Sequence, residues 1–187
     1  MLEVKEITNK ISLLAATFKE EGFEVSTADD LLTISGVTFN LRTDCEAFCK
    51  NEKHYIVSES HEEWLLYVMI YVAVKKTMES DILEATERYL SELGIHQNLK
   101  GFLLLADAII VSALCKEYVY EQMAGLFHIV SVMNGTSTQR VEKNIRTAIS
   151  SAYDRKTTKY HQLFGDKPTS SQFISYGSQV ISASCLS

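Results

Sequence analysis

Cationic and hydrogen-bonding side chains recur at helical spacing in NGTSTQRVEKNIRTAISSAYDRK, residues 134–156, which holds five Lys and Arg against two acids. The whole chain carries a formal charge of −6. At about 100° per residue, one face of the predicted helix collects Gln139, Arg140, Lys143, Arg146, Thr147 and Ser150, with Glu142 on its flank. Arginine can pair bidentately with guanine, glutamate can accept from cytosine, and lysine can hold phosphate. This face therefore suits the major groove of double-stranded DNA.

The opposite face of the same helix is apolar. It holds Val141, Ile145, Ala148, Ile149 and Ala152. Before it, Asn134-Gly135 predicts a tight turn, and Thr136 with Gln139 three residues later predicts a capping box. A helix, a short turn and a second helix form the helix-turn-helix layout, with the recognition helix at about residues 137–152. Solvated surface helices show the same pattern, so the pattern alone leaves both interpretations open.

Four segments carry a resemblance to a known family: LGIHQNLKGF (93–102), RVEKNIRTAI (140–149), LFG (163–165) and KPTSSQFI (167–174). At this spacing, residues 82–181 resemble the DNA-binding effector domain of the stage zero sporulation protein A family, master regulators of endospore formation. The resemblance implies an all-helical domain with a helix-turn-helix that binds a short promoter box, often as paired copies. It also implies that Arg140 and Glu142 contact bases, and that Lys143 and Arg146 occupy conserved basic positions.

The chain departs from the family's pattern at several positions. His96 and Asn98 stand where the family usually has proline and histidine, and Ala106 stands where it has arginine. In the first motif helix, His128 and residues 131–133 (Ser-Val-Met) match a proline and an Ala-Lys-Lys. Without those lysines we expect fewer phosphate contacts, weaker binding and a different DNA site.

The remaining periodicities predict a mainly α fold in two domains. Residues 1–79 are expected to form a small α+β domain that senses a signal or dimerises, and residues 80–187 an all-helical effector domain. In the first domain, a helix ends at Gly22, FEVST, LLTISG and VTFNLR predict short antiparallel strands, and residues 44–58 are ambiguous. Ser60 and Glu63 predict a cap for a helix that is apolar nearly all round over residues 64–74, placing it in the core or in a homodimer interface.

The second domain contains only helical periodicities. After residue 80, an amphipathic helix ends at Gly94, with one side formed by Ile82, Leu83, Tyr89, Leu90 and Leu93. Pro168 is predicted in the first turn of the last helix. Lys156 and Lys159 are predicted DNA contacts beyond the recognition helix, with Lys159 in a loop where it would meet phosphate.

Several other function classes lack their sequence features. Asp29-Asp30 predicts a polar turn, because no central phosphoacceptor or Lys-Pro follows it within residues 1–79, as one would in a phosphoreceiver. Cys45, Cys49, His54 and His61 lack the spacing of structural zinc sites, and no catalytic group or phosphate-binding loop is present. We therefore expect no enzyme, metal or cofactor. The absence of a secretory signal or membrane span and the unpaired cysteines predict a cytoplasmic protein.

The charge is distributed unevenly between the two halves. Residues 1–97 hold 9 Lys and Arg against 18 Asp and Glu, or −9, while residues 98–187 hold 9 against 6, or +3. A basic half hints at a nucleic-acid partner. The sequence thus predicts a DNA-binding transcriptional regulator. The alternative is a degenerate effector-like module that binds a protein, and a broken positive strip along Arg140, Lys143, Arg146, Arg155, Lys156 and Lys159 would favour it.

Overall fold

A computed structural model describes residues 4–40, 59–79, 81–115, 123–155 and 157–186. The chain divides into two compact units, residues 1–78 and 79–187. The predicted fold class is confirmed: the protein is mainly α, with a small antiparallel sheet in its amino-terminal part. No helix among the described residues is long and apolar enough to cross a membrane.

The amino-terminal unit combines two helices with one sheet. Its elements are α1 (Val4–Glu20), β1 (Val25–Ala28), β2 (Leu31–Ile34), β3 (Val37–Asn40) and α2 (Glu59–Met78). The strands are antiparallel in the order β1-β2-β3, with Leu32 opposite Phe39. Asp29 and Asp30 form the turn between β1 and β2, as predicted, and Gly36 turns the chain into β3 at φ +85°. The ambiguous residues 44–58 lie outside the described residues.

Phe18 organises the core of this unit. Its fully buried ring stacks on Tyr67 of α2 at 5.0 Å and meets the edge of Phe23 at 5.6 Å. Phe23 can reach it because α1 ends as predicted at Gly22: the Gly22 N–H donates to the Lys19 carbonyl and the Phe23 N–H to the Phe18 carbonyl, a Schellman motif. Val68, Ile70, Val72 and Val74 of α2 are also buried within the chain, so this part of the apolar helix lies in the core.

The carboxyl-terminal unit is helical throughout its described residues. Its helices are α3 (Asp81–Glu92), α4 (Lys100–Leu114), α5 (Met123–Met133), α6 (Thr138–Arg155), α7 (Thr158–Leu163) and α8 (Ser170–Cys185). Helix α4 contacts α3, α5, α6 and α8. Most of its side chains are buried, which explains why its sequence is apolar on nearly every face.

Two details of these helices differ from the sequence predictions. Leu83 is 38% exposed, because one residue's step of about 100° turns it away from the buried stripe that begins at Ile82. Pro168 lies before α8 and outside its first turn. Thr169 is the N-cap, and its side chain and that of Gln172 form a reciprocal capping box.

Helices α4 and α6 cross at very short range where Gly101 stands. A Cβ at Gly101 would lie 2.2 Å from the Asn144 carbonyl oxygen and 2.9 Å from the Ala148 Cβ. These contacts involve backbone and a first side-chain carbon, which no rotamer change can move. Glycine at this position therefore sets the distance between the two helices.

We expect Gly101→Ala to destabilise the carboxyl-terminal unit by at least about 1–3 kcal/mol, because the added methyl must push α4 from α6. Thermal or denaturant unfolding of the full chain would measure this. Gly125→Ala in α5 is the matched control, since its Cβ would meet nothing within 4 Å among the described residues. That control should be neutral or stabilising by up to ~1 kcal/mol. Equal effects of the two substitutions would contradict the close crossing.

Candidate nucleic-acid interface

A glycine turn joins α5 to α6. The Gly135 N–H donates to the Val132 carbonyl at 3.2 Å and the Thr136 N–H donates to the Ser131 carbonyl at 2.9 Å, with Gly135 at φ +57°. This is a Schellman motif that stops α5. The turn predicted at Asn134-Gly135 is thus confirmed. The Asn134 side chain also donates to Asp107 of α4 at 2.9 Å, which ties the turn to the central helix.

The cap of α6 differs from the prediction. The helix begins at Thr138, and the Arg140 N–H donates to the Ser137 Oγ at 3.4 Å, so Ser137 takes the N-cap position in place of Thr136. The preceding turn excludes one half of the predicted capping box: the Thr136 N–H already donates to the Ser131 carbonyl, so it is not free to donate to the Gln139 side chain. The cap therefore falls one residue later than the pair Thr136 and Gln139 suggests.

The predicted apolar face of α6 is its buried face. Val141, Ile145, Ala148 and Ala152 have no exposed surface, and Ile149 retains 2%. The helix contacts α4, α5, α7 and α8. Because this stripe is fixed in the core, the remaining face of α6 must turn to solvent.

The solvent-facing side of α6 holds the side chains expected to meet DNA. Gln139, Arg140, Lys143, Arg146 and Thr147 are exposed, and Glu142 is half-buried. The Arg146 guanidinium is paired with the Glu142 carboxylate one turn earlier. The Thr147 hydroxyl donates to the Lys143 carbonyl at 2.9 Å, which leaves its oxygen able to accept a further hydrogen bond. Donors, acceptors and positive charge thus stand together on one face.

A groove of about 440 Å³ runs beside this face. Glu142, Arg146 and Ile149 form one side of it, Met123 and Phe127 of α5 another, and residues 167–171 before and within α8 a third. Lys167 is exposed here, so it adds a cation beside Arg146. Lys167 is not among the DNA contacts that the sequence predicts. In the sequence, Lys167 stands just before the capping box at Thr169, and this position does not indicate how far Lys167 lies from α6.

Two cations near the carboxyl end of α6, Arg155 in its last turn and Lys159 in α7, bond to residues at or just after the end of α3. The Arg155 guanidinium donates to the Gly94 carbonyl at 2.9 Å, and the Lys159 ammonium pairs with Glu92. The hydrogen bond from Lys159 lowers the pKa of the Glu92 carboxyl. The prediction that Lys159 lies in a loop is wrong, because it stands in α7, which Thr157 caps by accepting from the Tyr160 N–H. Lys156 lies outside the described residues.

The sequence of the carboxyl-terminal unit matches a known family. A profile of the family described as sporulation initiation factor Spo0A C terminal matches residues 86–181, about half of the chain. The chain belongs to the Spo0A C-terminal family. This confirms the resemblance found in the sequence over residues 82–181. The family is one of DNA-binding regulator domains and is not a family of enzymes. No curated protein and no solved structure matches the chain.

The positions where this chain departs from the Spo0A C-terminal pattern fall into two environments. His96 and Asn98 are exposed in the segment between α3 and α4, whereas Ala106 is buried in α4. In α5, His128, Ser131 and Val132 are buried and Met133 is half-buried. Helix α5 contains no Lys or Arg. It therefore brings no positive charge to the interface.

Other chemistry has little support in the described part of the chain. No group of three or more His, Cys, Asp and Glu there could hold a metal ion. Cys45, Cys49 and His54 lie outside the described residues, as does the side chain of His61. Burial raises the pKa of the Cys115 thiol to about 12, so this cysteine is protonated at neutral pH and is a poor nucleophile.

The revised cap of α6 can be tested by two alanine substitutions. Ser137→Ala should lower the free energy of unfolding by about 0.5–2 kcal/mol, because the Arg140 N–H at the helix start loses its acceptor. Thr136→Ala should have a smaller effect, since the Thr136 backbone N–H keeps its bond to Ser131. Urea unfolding of both variants would measure the difference. A larger loss for Thr136→Ala would restore the cap predicted from the sequence.

Proposed function

We propose that this protein is a DNA-binding transcriptional regulator of the sporulation type, in which α5, residues 134–137 and α6 act as a helix-turn-helix. The observation that carries the proposal is the exposed face of α6. Within a domain of the Spo0A C-terminal family, its opposite face is fixed in the core, and six polar or charged side chains remain accessible. The partner is double-stranded DNA, with α6 in the major groove.

The chemistry of each side chain indicates its role. Arg140 stands in the first turn of α6, where a recognition helix commonly approaches base edges, and can pair with guanine. Glu142 can accept a hydrogen bond from cytosine, and the Arg146 guanidinium is paired with the Glu142 carboxylate. Lys143 supplies charge for phosphate, and Gln139 and Thr147 add donors and acceptors at the edges of the face. Lys167 joins this set because it lines the same groove as Arg146.

Lys159 is not included among the proposed contacts. Its ammonium is already paired with Glu92, so a contact with phosphate would have to displace an existing partner. Arg155 is engaged at Gly94 in the same way. These two residues attach the carboxyl end of α3 and the residues after it to the end of α6 and to α7, and they can act as charge-matched controls for DNA binding.

The proposal also assigns a role to the amino-terminal unit. We assign to residues 1–79 a sensing or dimerising role, and to residues 80–187 the role of effector domain. We place the protein in the cytoplasm, where a bacterial-type regulator meets its DNA, and assign it no catalytic activity and no cofactor.

One observation favours the alternative, an effector-like module that binds a protein. Of the strip of cations expected along the carboxyl-terminal unit, Arg155 and Lys159 are bonded to oxygens at the end of α3. Helix α5 contributes no cation either. The positive surface is therefore smaller than the sequence suggests, and the balance between the two functions depends on Arg140, Lys143, Arg146 and Lys167.

The test begins with selection of bound duplexes from a random pool, followed by three substitutions. Arg140→Ala should weaken the preferred site by about 1–3 kcal/mol and relax the choice of one base pair. Lys143→Ala should weaken all sequences alike and reduce the slope of log affinity against log salt by about 0.9. Lys159→Ala, which removes the same charge, should change neither quantity. Fluorescence anisotropy over a series of salt concentrations would measure all three.

The proposal fails if no duplex binds below about 100 micromolar at physiological salt, which is the weak end of non-specific affinity. It also fails if Lys159→Ala reduces the salt slope as much as Lys143→Ala does while Arg140→Ala has no effect. The protein-binding module would then be the better assignment.

We also propose a homodimer formed largely by the amino-terminal unit. The apolar side chains of α2 at residues 68, 70, 72 and 74 are buried within the chain and are not available to a partner, whereas Leu13 on α1 is 53% exposed. Leu13→Asp should shift the full chain from dimer to monomer in light scattering, because a buried carboxylate is costly at an apolar interface. Leu103→Asp in α4 is the matched control at 58% exposure and should leave the dimer intact. A monomeric wild type at high micromolar concentration would refute this assignment.

A further inference from the structure

The sheet of the amino-terminal unit has an open edge at β1, which pairs with β2 on its other side. The Ser35 N–H donates to the Glu24 carbonyl at 2.8 Å, and bonded pairs alternate with non-bonded pairs along an antiparallel ladder. Residues 26 and 28 therefore bond to β2, and the backbone N–H and C=O groups of Val25 and Thr27 point away from it. Among the described residues, these outward groups have no hydrogen-bond partner.

The second ladder of the sheet supports this alternation. The Thr33 and Thr38 hydroxyls lie 2.9 Å apart, as expected of a non-hydrogen-bonded pair, in which the facing side chains come closest. The backbone of Thr33 therefore bonds to β1, where Ser26 stands opposite it. Contacts on both sides of β2 thus agree on which groups of β1 point outward.

Strand β1 lacks the features that usually protect an edge. Natural proteins block an open edge with Lys, Pro, a bulge or a covering element. The sequence of β1 is VSTA, without charge or proline, and its pairing with β2 is continuous. Its last three residues are exposed. An exposed, uncharged edge with unused backbone groups is suited to the addition of another strand.

The outward groups of β1 are complementary to those of a second copy of the same strand. If two copies meet antiparallel about a two-fold axis at Ser26, Val25 of each copy faces Thr27 of the other, and each such pair exchanges both of its backbone hydrogen bonds. In this register Glu24 stands opposite Ala28 of the second copy. No like charges are directly opposed, which would otherwise destabilise the pairing.

Helix α1 lies beside this edge. It packs against β1 and β2, whereas α2 packs against β3. A two-fold axis perpendicular to the sheet therefore places the α1 helices of both copies as neighbours on the same side of the joined sheet. Leu13 of α1 is 53% exposed. Pairing through β1 thus places the open edge and the helix that carries this leucine in one interface.

We propose that β1 pairs with β1 of a second copy of this chain, which joins the two sheets into one antiparallel sheet with three strands from each copy. The inference rests on the homodimer proposed above and names the strand through which it forms. It does not depend on DNA binding.

Two carboxylate substitutions in the full chain test the pairing. Ser26→Asp places two carboxylates opposite each other at the two-fold axis, so the dissociation constant of the dimer should rise several-fold and recover in part as salt screens the repulsion. Thr38→Asp is the matched control, because it adds the same charge to β3 at the far edge of the sheet. It should leave the constant unchanged. Sedimentation equilibrium at low and high salt would measure both variants.

A third substitution tests the backbone hydrogen bonds. Thr27→Pro removes an outward N–H that the pairing with β2 does not use, and an edge strand tolerates proline at such a position. Each pair between the copies loses one hydrogen bond, so the dissociation constant should rise at least about tenfold. Circular dichroism would verify that the variant is folded.

Cross-linking tests the register. Ser26→Cys should form a disulfide between two copies under mild oxidation, because the Cα atoms of a non-hydrogen-bonded pair lie about 4.5 Å apart, within the range of about 4.4–6.8 Å for disulfides. Thr38→Cys is the matched control and should not form this link. Mass spectrometry of the digested protein would identify the joined peptides and separate them from links through the native cysteines.

The outcomes separate this inference from the homodimer itself. A wild-type dimer whose dissociation constant is unchanged in Ser26→Asp and Thr27→Pro, with no link between the two copies of residue 26 in Ser26→Cys, would overturn the pairing through β1 and leave the homodimer standing. A monomeric wild type would overturn the homodimer, and the strand pairing with it.

Discussion

Because Gly101 has no side chain, the backbone of α4 lies directly against the backbone of α6 at Asn144, one turn before Ala148. This contact fixes both the distance between the two helices and the rotation of α6 about its axis. Residues 144 and 148 are four apart, so they lie on one side of α6, and holding that side against α4 determines the rotation of the helix about its axis. The face with Arg140 and Lys143 is exposed as a consequence of what is buried opposite it.

The two ends of α6 are fixed as well. At its start, the turn at Gly135 and the cap at Ser137 hold the first residues against α5. At its end, Arg155 and the Thr157 hydroxyl donate to the carbonyls of Gly94 and Leu93, at 2.9 and 3.4 Å. Gly94 is itself in the left-handed region at φ +81°, close against Thr157. A helix held at both ends and along its length loses little conformational entropy when it binds. This favours affinity and a defined register on the partner.

The sequence predicted most of what depends on local spacing. The buried stripe of α6, the three short strands, and the glycine stops at Gly22, Gly94 and Gly135 follow from period and turn chemistry. Where two local signals compete, the prediction failed: Thr136 and Gln139 have the spacing of a capping box, but the Thr136 N–H donates to α5 and is not free for Gln139, and Ser137 is the cap. Features that depend on tertiary approach were beyond prediction. Glu92 and Lys159 are 67 residues apart in sequence, and the place of Lys167 beside Arg146 depends on how α8 packs on α6.

The distribution of charge limits how the proposed interface could bind DNA. Non-specific affinity grows with the number of phosphates neutralised, and here α5 lacks cations while Arg155 and Lys159 already have oxygen partners. The chain is also acidic, at −6, so long-range attraction to DNA is weak. If Arg140, Glu142 and Lys143 are contacts, base recognition must account for a larger share of binding than in a reader with a broad basic surface. A protein that bound in this way would gain little from non-specific DNA, and paired copies or a second unit would then be needed to occupy its site.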